Sequence, residues 1–404
     1  MTNTKALVIG GGIAGSVTAI ALRRAGFDVT VHEAYDRSAD GVGSYVTLAV
    51  NGVRALRGLG LDAPVLRAGV PTTSMVLEMG SGRHLTEFTD PPSPDGIETT
   101  TILRADLYTS LRDEAVRQGV RVEYGHRLVD ALPQADGVTA VFADGGTDTG
   151  DLLIGADGLR SRVRTVIDPT APPARYGGLL NTAGFAHGVR LDGKRPGALY
   201  LAFGKRCFFG YLPVPDGYGH DGEVWWFANP PHRAEPSRAE LAAISPEEWR
   251  TRLIALFSVD AGPAAALIEA STGILAGWPT YDFPSVPVWH RDRMIIIGDA
   301  AHAASPASGQ GASMAIEDAV VLAGCLDRCA DVPAAFAAFE ALRRERVEKV
   351  VATGKRNGSQ KVPGPLGRVA RDAMLRAFFS APVQRRRKGA DELAWMREYD
   401  AGAV

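Results

Sequence analysis

The feature that most constrains this chain is a glycine turn, Gly10-Gly11-Gly12-Ile13-Ala14-Gly15, set between an apolar run and an alanine-rich stretch. Ala6-Leu7-Val8-Ile9 is continuously apolar, the pattern of a parallel strand buried on both faces. Residues 16–25 read as a helix. Each glycine of a G-x-G-x-x-G turn between two such elements has a physical task. Gly10 permits the tight turn, Gly12 lets the backbone approach a pyrophosphate, and Gly15 lets helix and strand pack closely. The anion would sit on free N–H groups at the helix N-terminus, favoured by the positive end of the dipole. Gly10, Gly12, Ala14 and Gly15 are therefore candidate cofactor contacts. A second strand, 28–32, ends in Glu33, at the spacing where an acid binds a ribose hydroxyl. Its carboxylate would repel a 2′-phosphate, which argues against NADP in this turn.

Composition narrows the alternatives. A chain of 404 residues is long enough for two or three domains and a large core. Apolar residues at 46% and charged residues at 22% describe an ordinary soluble globular protein. The net charge of −2 gives no reason to invoke nucleic acid or an anionic membrane surface. No apolar stretch approaches the ~20 residues of a membrane span. Met1-Thr2-Asn3-Thr4-Lys5 enters the first strand at once with no secretory signal, so a cytoplasmic location is expected. Three cysteines in this length fit a reducing compartment without a disulfide framework. Cys325 and Cys329 lack companions for a tetrahedral site and read as packing, so no metal is expected. Arg385-Arg386-Arg387-Lys388 reads as a solvated face.

Along the chain, residues 1–74, 97–173 and 279–350 read as one discontinuous nucleotide-binding domain. Within it, Gly41-Val42-Gly43-Ser44 is a flexible loop and residues 51–60 a short helix. A helix capped near Asp106 runs to Arg117, strands are expected at 120–124, 138–142, 151–155 and 294–297, and helices at 312–329 and 332–351. Residues 75–96 and 174–278 read as an inserted sheet domain, with a surface turn at Pro91-Pro92-Ser93-Pro94. Aromatic and β-branched residues alternate there, as in Cys207-Phe208-Phe209-Gly210-Tyr211 and Val224-Trp225-Trp226-Phe227, around a helix at about 246–258. Residues 351–404 form a C-terminal helical segment. The fold class is α/β, a Rossmann-like domain with an inserted, mainly antiparallel sheet.

Two further segments sharpen the reading: Leu153-Ile154-Gly155-Ala156-Asp157-Gly158-Leu159-Arg160-Ser161-Arg162-Val163-Arg164, and Ile296-Ile297-Gly298-Asp299-Ala300-Ala301-His302 running on through Pro306 to Gly309-Gln310-Gly311. With the glycine turn, this trio resembles the single-component FAD-dependent aromatic hydroxylases, the group A flavoprotein monooxygenases typified by p-hydroxybenzoate and salicylate hydroxylases. The resemblance covers roughly residues 5–355. It implies that Asp299 binds a ribityl hydroxyl of FAD, and that Gly311, Ala312 and Ser313 present N–H groups to the pyrimidine edge of the flavin. A helix N-terminus there would stabilise the negative charge of reduced flavin. By the same resemblance Asp157 belongs to a segment touching FAD and NAD(P)H, Arg104 lies near the pyrophosphate, and the backbone at Leu128 contacts adenine. Gly43, Ser44 and the residues to Thr47 form the loop along the flavin ring. Asp157 and Arg164 could also be a structural ion pair, and His302 a packed loop histidine.

No second dinucleotide fingerprint follows, so NADH or NADPH would bind transiently. The resemblance implies flavin reduction, O2 addition to give a C4a-hydroperoxide, and oxygen transfer to a hydrophobic aromatic ring or an alkene. Phe209, Tyr211, Trp226 and Pro306 are the candidate substrate wall, where the aromatic sheet faces the flavin. Tyr211 or His187 could serve as a base, but nothing singles either out, and no catalytic residue is assigned. An FAD-dependent reductase or halogenase is the alternative on the same architecture; Trp225-Trp226-Phe227-Ala228-Asn229-Pro230 lacks the halogenase motif. The expected partner is a small aromatic molecule, and the protein a monomer or homodimer. Residues after about 355 are too few for the third domain of longer relatives, and 355–371 could cover the substrate mouth by position alone.

Overall fold

A computed structural model describes residues 4–36, 43–89, 93, 95–359, 361, 364–379 and 394–403. Two large sheets organise it. The first has six strands in the order His290–Arg291, Met294–Ile296, Leu152–Gly155, Lys5–Ile9, Asp28–His32 and Arg121–Glu123. Every pairing is parallel except the short antiparallel one between His290–Arg291 and Met294–Ile296. Leu7, Val8, Leu153, Ile154 and Ile295 are completely buried. That is why these strands read as unbroken apolar runs rather than alternating ones. The helices Ile13–Arg24 and Gly311–Arg328 pack on each other beside this sheet.

The second sheet has seven strands: Ser271–Asp282, Arg175–His187, Glu223–Asn229, Phe208–Pro213, Ala198–Phe203, Ser74–Met79 and His84–Thr89. All pairings are antiparallel but one, Ser74–Met79 against Ala198–Phe203. Helices Pro246–Phe257 and Ala264–Glu269 cover one face; both sit in a core with Phe209, Tyr211 and Trp226. The other face meets Val70, Tyr45 and Leu103. Two three-stranded sheets complete the set, Thr147–Gly150, Val138–Phe142, Leu128–Pro133 and Tyr45–Leu48, Thr100–Leu103, Val70–Pro71.

Several local expectations are redrawn. The helix expected to be capped near Asp106 begins at Arg104, with Leu103 at the cap position and no side chain capping it. The Arg104 N–H is satisfied by the Ser44 carbonyl at 2.8 Å instead, so Asp106 falls in the first turn. Residues 45–47, expected as loop, belong to the strand Tyr45–Leu48 because Thr100–Leu103 supplies an antiparallel partner. Leu128–Pro133 and Thr147–Gly150 are also strands, flanking Val138–Phe142. The helix Val332–Ser359 runs eight residues beyond its expected end at Val351. The remaining C-terminal helices are Pro365–Phe378 and Ala394–Arg397. Gly41, Val42, most of the Pro91 turn and the Arg385–Lys388 run lie outside the described residues. Among the described residues no helix is long and apolar enough to cross a membrane, and no cluster of three His, Cys, Asp or Glu could hold a metal ion.

Candidate active site

The glycine turn is held by contacts that admit no side chain. Gly10 has φ +102°, its N–H donates to the His32 carbonyl at 2.8 Å, and a Cβ there would lie 2.6 Å from the Ala156 oxygen. At Gly15 a Cβ would lie 1.8 Å from the Gly10 carbonyl oxygen, far inside any real contact. The helix Ile13–Arg24 opens at Gly12 with no side-chain cap and no acid in its first turn. Its leading N–H groups thus have neither an intrahelical partner nor a capping one. Glu33 stands over the turn: its Oε2 accepts the Gly11 N–H at 2.8 Å and its Oε1 the Tyr35 N–H at 3.0 Å. A carboxylate has about four acceptor sites, so two remain for a ligand hydroxyl. Exposed Arg104 lies over the Tyr108 ring at 5.7 Å, and the Tyr108 hydroxyl faces Gly12. Gly43, at φ +109°, packs on the Arg104 stem. Leu128 is buried at the start of its strand.

The Asp-Gly turn meets the first segment directly, since the Cβ position of Gly10 touches Ala156 and Asp157. Asp157 Oδ2 accepts the N–H groups of Arg162 and Val163 at 2.7 and 3.1 Å, and Gly158 takes φ +75°. Asp157 Oδ1 is enclosed without a partner, and burial pushes this carboxyl above its ordinary range. No ion pair joins it to Arg164. The guanidinium donates instead to the carbonyls of Leu159 at 2.9 Å and Ala300 at 2.8 Å and covers the Phe283 ring at 4.4 Å. Arg164 therefore ties the Asp-Gly turn to the Gly-Asp helix.

That helix, Asp299–His302, starts from Gly298 at φ +58°; a Cβ on Gly298 would sit 3.1 Å from Ala14 and 3.5 Å from Ala315. Asp299 itself is exposed at the helix start. Behind it lies a buried ionic network. Asp318 Oδ2 accepts the Gly298 N–H at 2.8 Å and pairs with His302 Nε2 at 2.6 Å, while Oδ1 takes Arg343 at 2.8 Å. Arg343 and Arg346 both hold Glu317, and Glu317 receives Asn51, which also donates to Gln310. His302 is thus a packed member of this network. The helix Gly311–Arg328 opens without a side-chain cap; Gly311 and Ala312 are half-buried at its tip. Ser313 Oγ accepts the Ala49 N–H at 3.2 Å, which fastens the tip to the chain after Tyr45–Leu48.

The sheet face meeting Tyr45 differs from the expected wall. Phe209, Tyr211 and Trp226 all turn toward the covering helices. Phe209 meets Phe257 edge-on at 5.1 Å, Trp226 donates to Ser271 at 2.7 Å, and Tyr211 donates to Glu78 at 3.1 Å. Pairing register puts their sequence neighbours on the opposite face: Phe208 opposes Asn229, Gly210 opposes Phe227, and Leu212 opposes Trp225. Tyr45 stacks on Trp225 at 5.7 Å and meets Phe227 at 6.3 Å. Its hydroxyl is buried without a partner. Pro306 is exposed in the short turn Pro306–Ser308, which packs against Val332–Ser359. His187 is exposed at the far end of its strand. Tyr45, Trp225, Phe227 and the Asp318–Arg343 network carry no sequence motif, though Glu317-Asp318, a charged pair in the mostly apolar helix Gly311–Arg328, is a usable signal for the network.

Uncapped helix tips, side-chain-free glycines and spare acceptors at Glu33 and Asp299 fit an adenine dinucleotide. Residues 3–353 match the model of a family described as FAD binding domain. A FAD-dependent urate hydroxylase from Klebsiella pneumoniae is 30% identical over 376 residues, 87% of this chain and 89% of the relative. A 3-amino-4-hydroxybenzoate 2-monooxygenase from Streptomyces platensis is 32% identical over 416 residues, 98% and 96% of the two chains. Among solved structures, a Klebsiella pneumoniae protein complexed with FAD and uric acid superposes with TM-score 0.80 at 29% identity, covering 93% of each chain. Fold and site together define a flavin-nucleotide-binding architecture. The chain belongs to the family of FAD-dependent aromatic hydroxylases and monooxygenases.

Proposed function

We propose that this protein is an FAD-dependent monooxygenase that uses NADH or NADPH and O2 to hydroxylate or epoxidise a hydrophobic aromatic substrate. The observation carrying this reading is the aromatic sheet face around Tyr45, Trp225 and Phe227, with the strand Tyr45–Leu48 fastened to the helix that opens at Gly311 by the Ala49–Ser313 hydrogen bond. FAD, once reduced by the nicotinamide, supplies the oxygen-activating chemistry. The protein's residues bind, orient and exclude water. N–H groups of the Gly12–Ala14 tip with Arg104 take the pyrophosphate, and Glu33 takes the adenosine ribose. The backbone at Leu128 serves adenine, and Asp157 lies where both nucleotides pass. Asp299 accepts a ribityl hydroxyl, the loop at Gly43 and Ser44 runs along the ring, and N–H groups of Gly311, Ala312 and Ser313 face its pyrimidine edge. Tyr45, Trp225 and Phe227 keep water from the reacting oxygen, which limits wasteful peroxide release.

The test is stoichiometric. Across a panel of phenols, indoles and polyketide-like aromatics, at least one compound should stimulate NAD(P)H oxidation and return about one oxygenated product per O2 and per reductant consumed. Oxidation that yields only peroxide with every compound, or turnover without O2, would sink the proposal. The cofactor assignment has its own check. Asp299→Ala should purify folded but largely stripped of FAD, since a ribityl hydroxyl loses its acceptor while no hydrogen bond among the described residues uses the exposed Asp299 side chain; full flavin occupancy with unchanged activity would refute it.

A further inference from the structure

The sheet face toward Tyr45 ends in a buried cation. Lys361, outside the matched residues 3–353, places Nζ 4.5 Å from the Phe208 ring centroid and 5.4 Å from that of Phe227. One of its three N–H donors reaches Asn229 Oδ1 at 2.6 Å, and Asn229 is itself buried beside Asn181. The lysine is fixed from behind, because its carbonyl accepts Arg371 Nη1 at 3.1 Å while Arg371 Nη2 reaches the Gly204 carbonyl at 3.3 Å.

Among the described residues Lys361 has no counterion. Arg343, Arg346 and Arg371 are comparably buried, and each has a carboxylate: Glu317 with Asp318, Glu317, and Asp372. No carboxylate among the described residues pairs with Lys361. The other ionisable groups around it are the Cys207 thiol, which burial pushes up, and Arg371, with Asp260 and Asp372 lying beyond on the arginine side. Burial pulls the lysine down to about 7. An ammonium enclosed with one amide oxygen is under-compensated, and an anion that neutralises it regains that loss. A second buried group without a partner among the described residues, the Tyr45 hydroxyl, belongs to a ring that meets the same Phe227 edge-on.

Resting on the monooxygenase reading above, we propose that Lys361 is a substrate-positioning residue whose ammonium receives an acidic oxygen, a phenolate or carboxylate, on an aromatic ring that lies along Phe227. The charge pair sets which ring edge faces the flavin.

The test uses FAD-loaded protein and two probe pairs, benzoate with benzamide and 4-nitrophenol with 4-nitroanisole, each titrated by perturbation of the flavin visible spectrum. In the wild type the acidic member of at least one pair should bind tenfold or more tighter than its neutral isostere. Lys361→Met should reduce that ratio below twofold at unchanged flavin content and Tm, and Lys361→Gln, which keeps a donor for Asn229, should do the same. Lys361→Arg should retain the preference. Absence of a wild-type preference, failure of every probe to bind, a preference surviving in Lys361→Met, or failure of both neutral variants to fold overturns the assignment. Holoprotein that shows the lysine-dependent preference yet oxidises neither NADH nor NADPH with any ring would overturn the monooxygenase reading instead.

Discussion

Replacing Arg343 with methionine should cost about 3–5 kcal/mol of stability, the range for removing one partner of a buried ion pair. Arg343 is fully enclosed, and its guanidinium holds Glu317 at 2.7 Å and Asp318 at 2.8 Å. Methionine fills similar volume, so the loss is electrostatic rather than a cavity. The effect should reach the site, because Asp318 also holds the Gly298 N–H at the root of Asp299. Denaturant melts and flavin content in the same preparations read both consequences. A change below about 1 kcal/mol with full flavin would show that Arg346 and His302 suffice, a span lying outside the expected range. The pH dependence follows in sign. Burial alone would raise the Asp318 carboxyl, but the charges of His302 and Arg343 outweigh it and hold it at about 2. Its contribution is therefore present above the unfolded value of roughly 4 and lost as pH falls toward 2. The gap between wild type and variant should narrow across that window.

Gly15→Ala should be nearly as damaging at a position with no charge at all. The added Cβ would sit 1.8 Å from the Gly10 oxygen and 3.4 Å from Val8. The first obstacle is backbone, so no rotamer change relieves it, and the helix must move off the strand. Overpacking of this kind costs about 1–3 kcal/mol, and here it also displaces the N–H groups proposed above to hold the pyrophosphate. FAD affinity should fall at least ~100-fold, equivalent to about 2.7 kcal/mol, as measured by titration of apoprotein. Gly262→Ala is the matched control, since nothing lies within 4 Å of its Cβ position. Equal flavin affinity in the two variants would refute the close-approach role.

The glycine segments were legible because their tasks are local. A turn at φ +102°, a helix start without a cap and a close helix–strand contact each select residue types at fixed offsets. The sheet interior was not. Phe208 and Phe209, like Trp225 and Trp226, are adjacent aromatics in alternating strands, and period two fits equally well with either one facing inward. The choice was made by Trp249, Leu253, Phe257 and Leu267, which cover one face from elsewhere in the chain. The alternative of a structural Asp157–Arg164 pair is not realised, for a related reason. A carboxylate at the head of Arg162–Ile167 finds backbone N–H groups nearer than any side chain, which frees the arginine for the Ala300 carbonyl. Lys361 had no local signal, since its surroundings come from strands more than a hundred residues earlier.

The order of the six-stranded sheet has a cost during synthesis. Lys5–Ile9 takes one neighbour from Asp28–His32 soon after it is made, but its other edge waits for Leu152–Gly155. That strand in turn waits for Met294–Ile296. At about 5–20 residues per second, the nascent chain carries an open, mostly apolar strand edge for roughly 6 to 28 seconds at each stage. Such edges recruit other strands when left bare. The sheet order therefore exposes the ribosome-bound chain, rather than the finished molecule, to pairing with other strands.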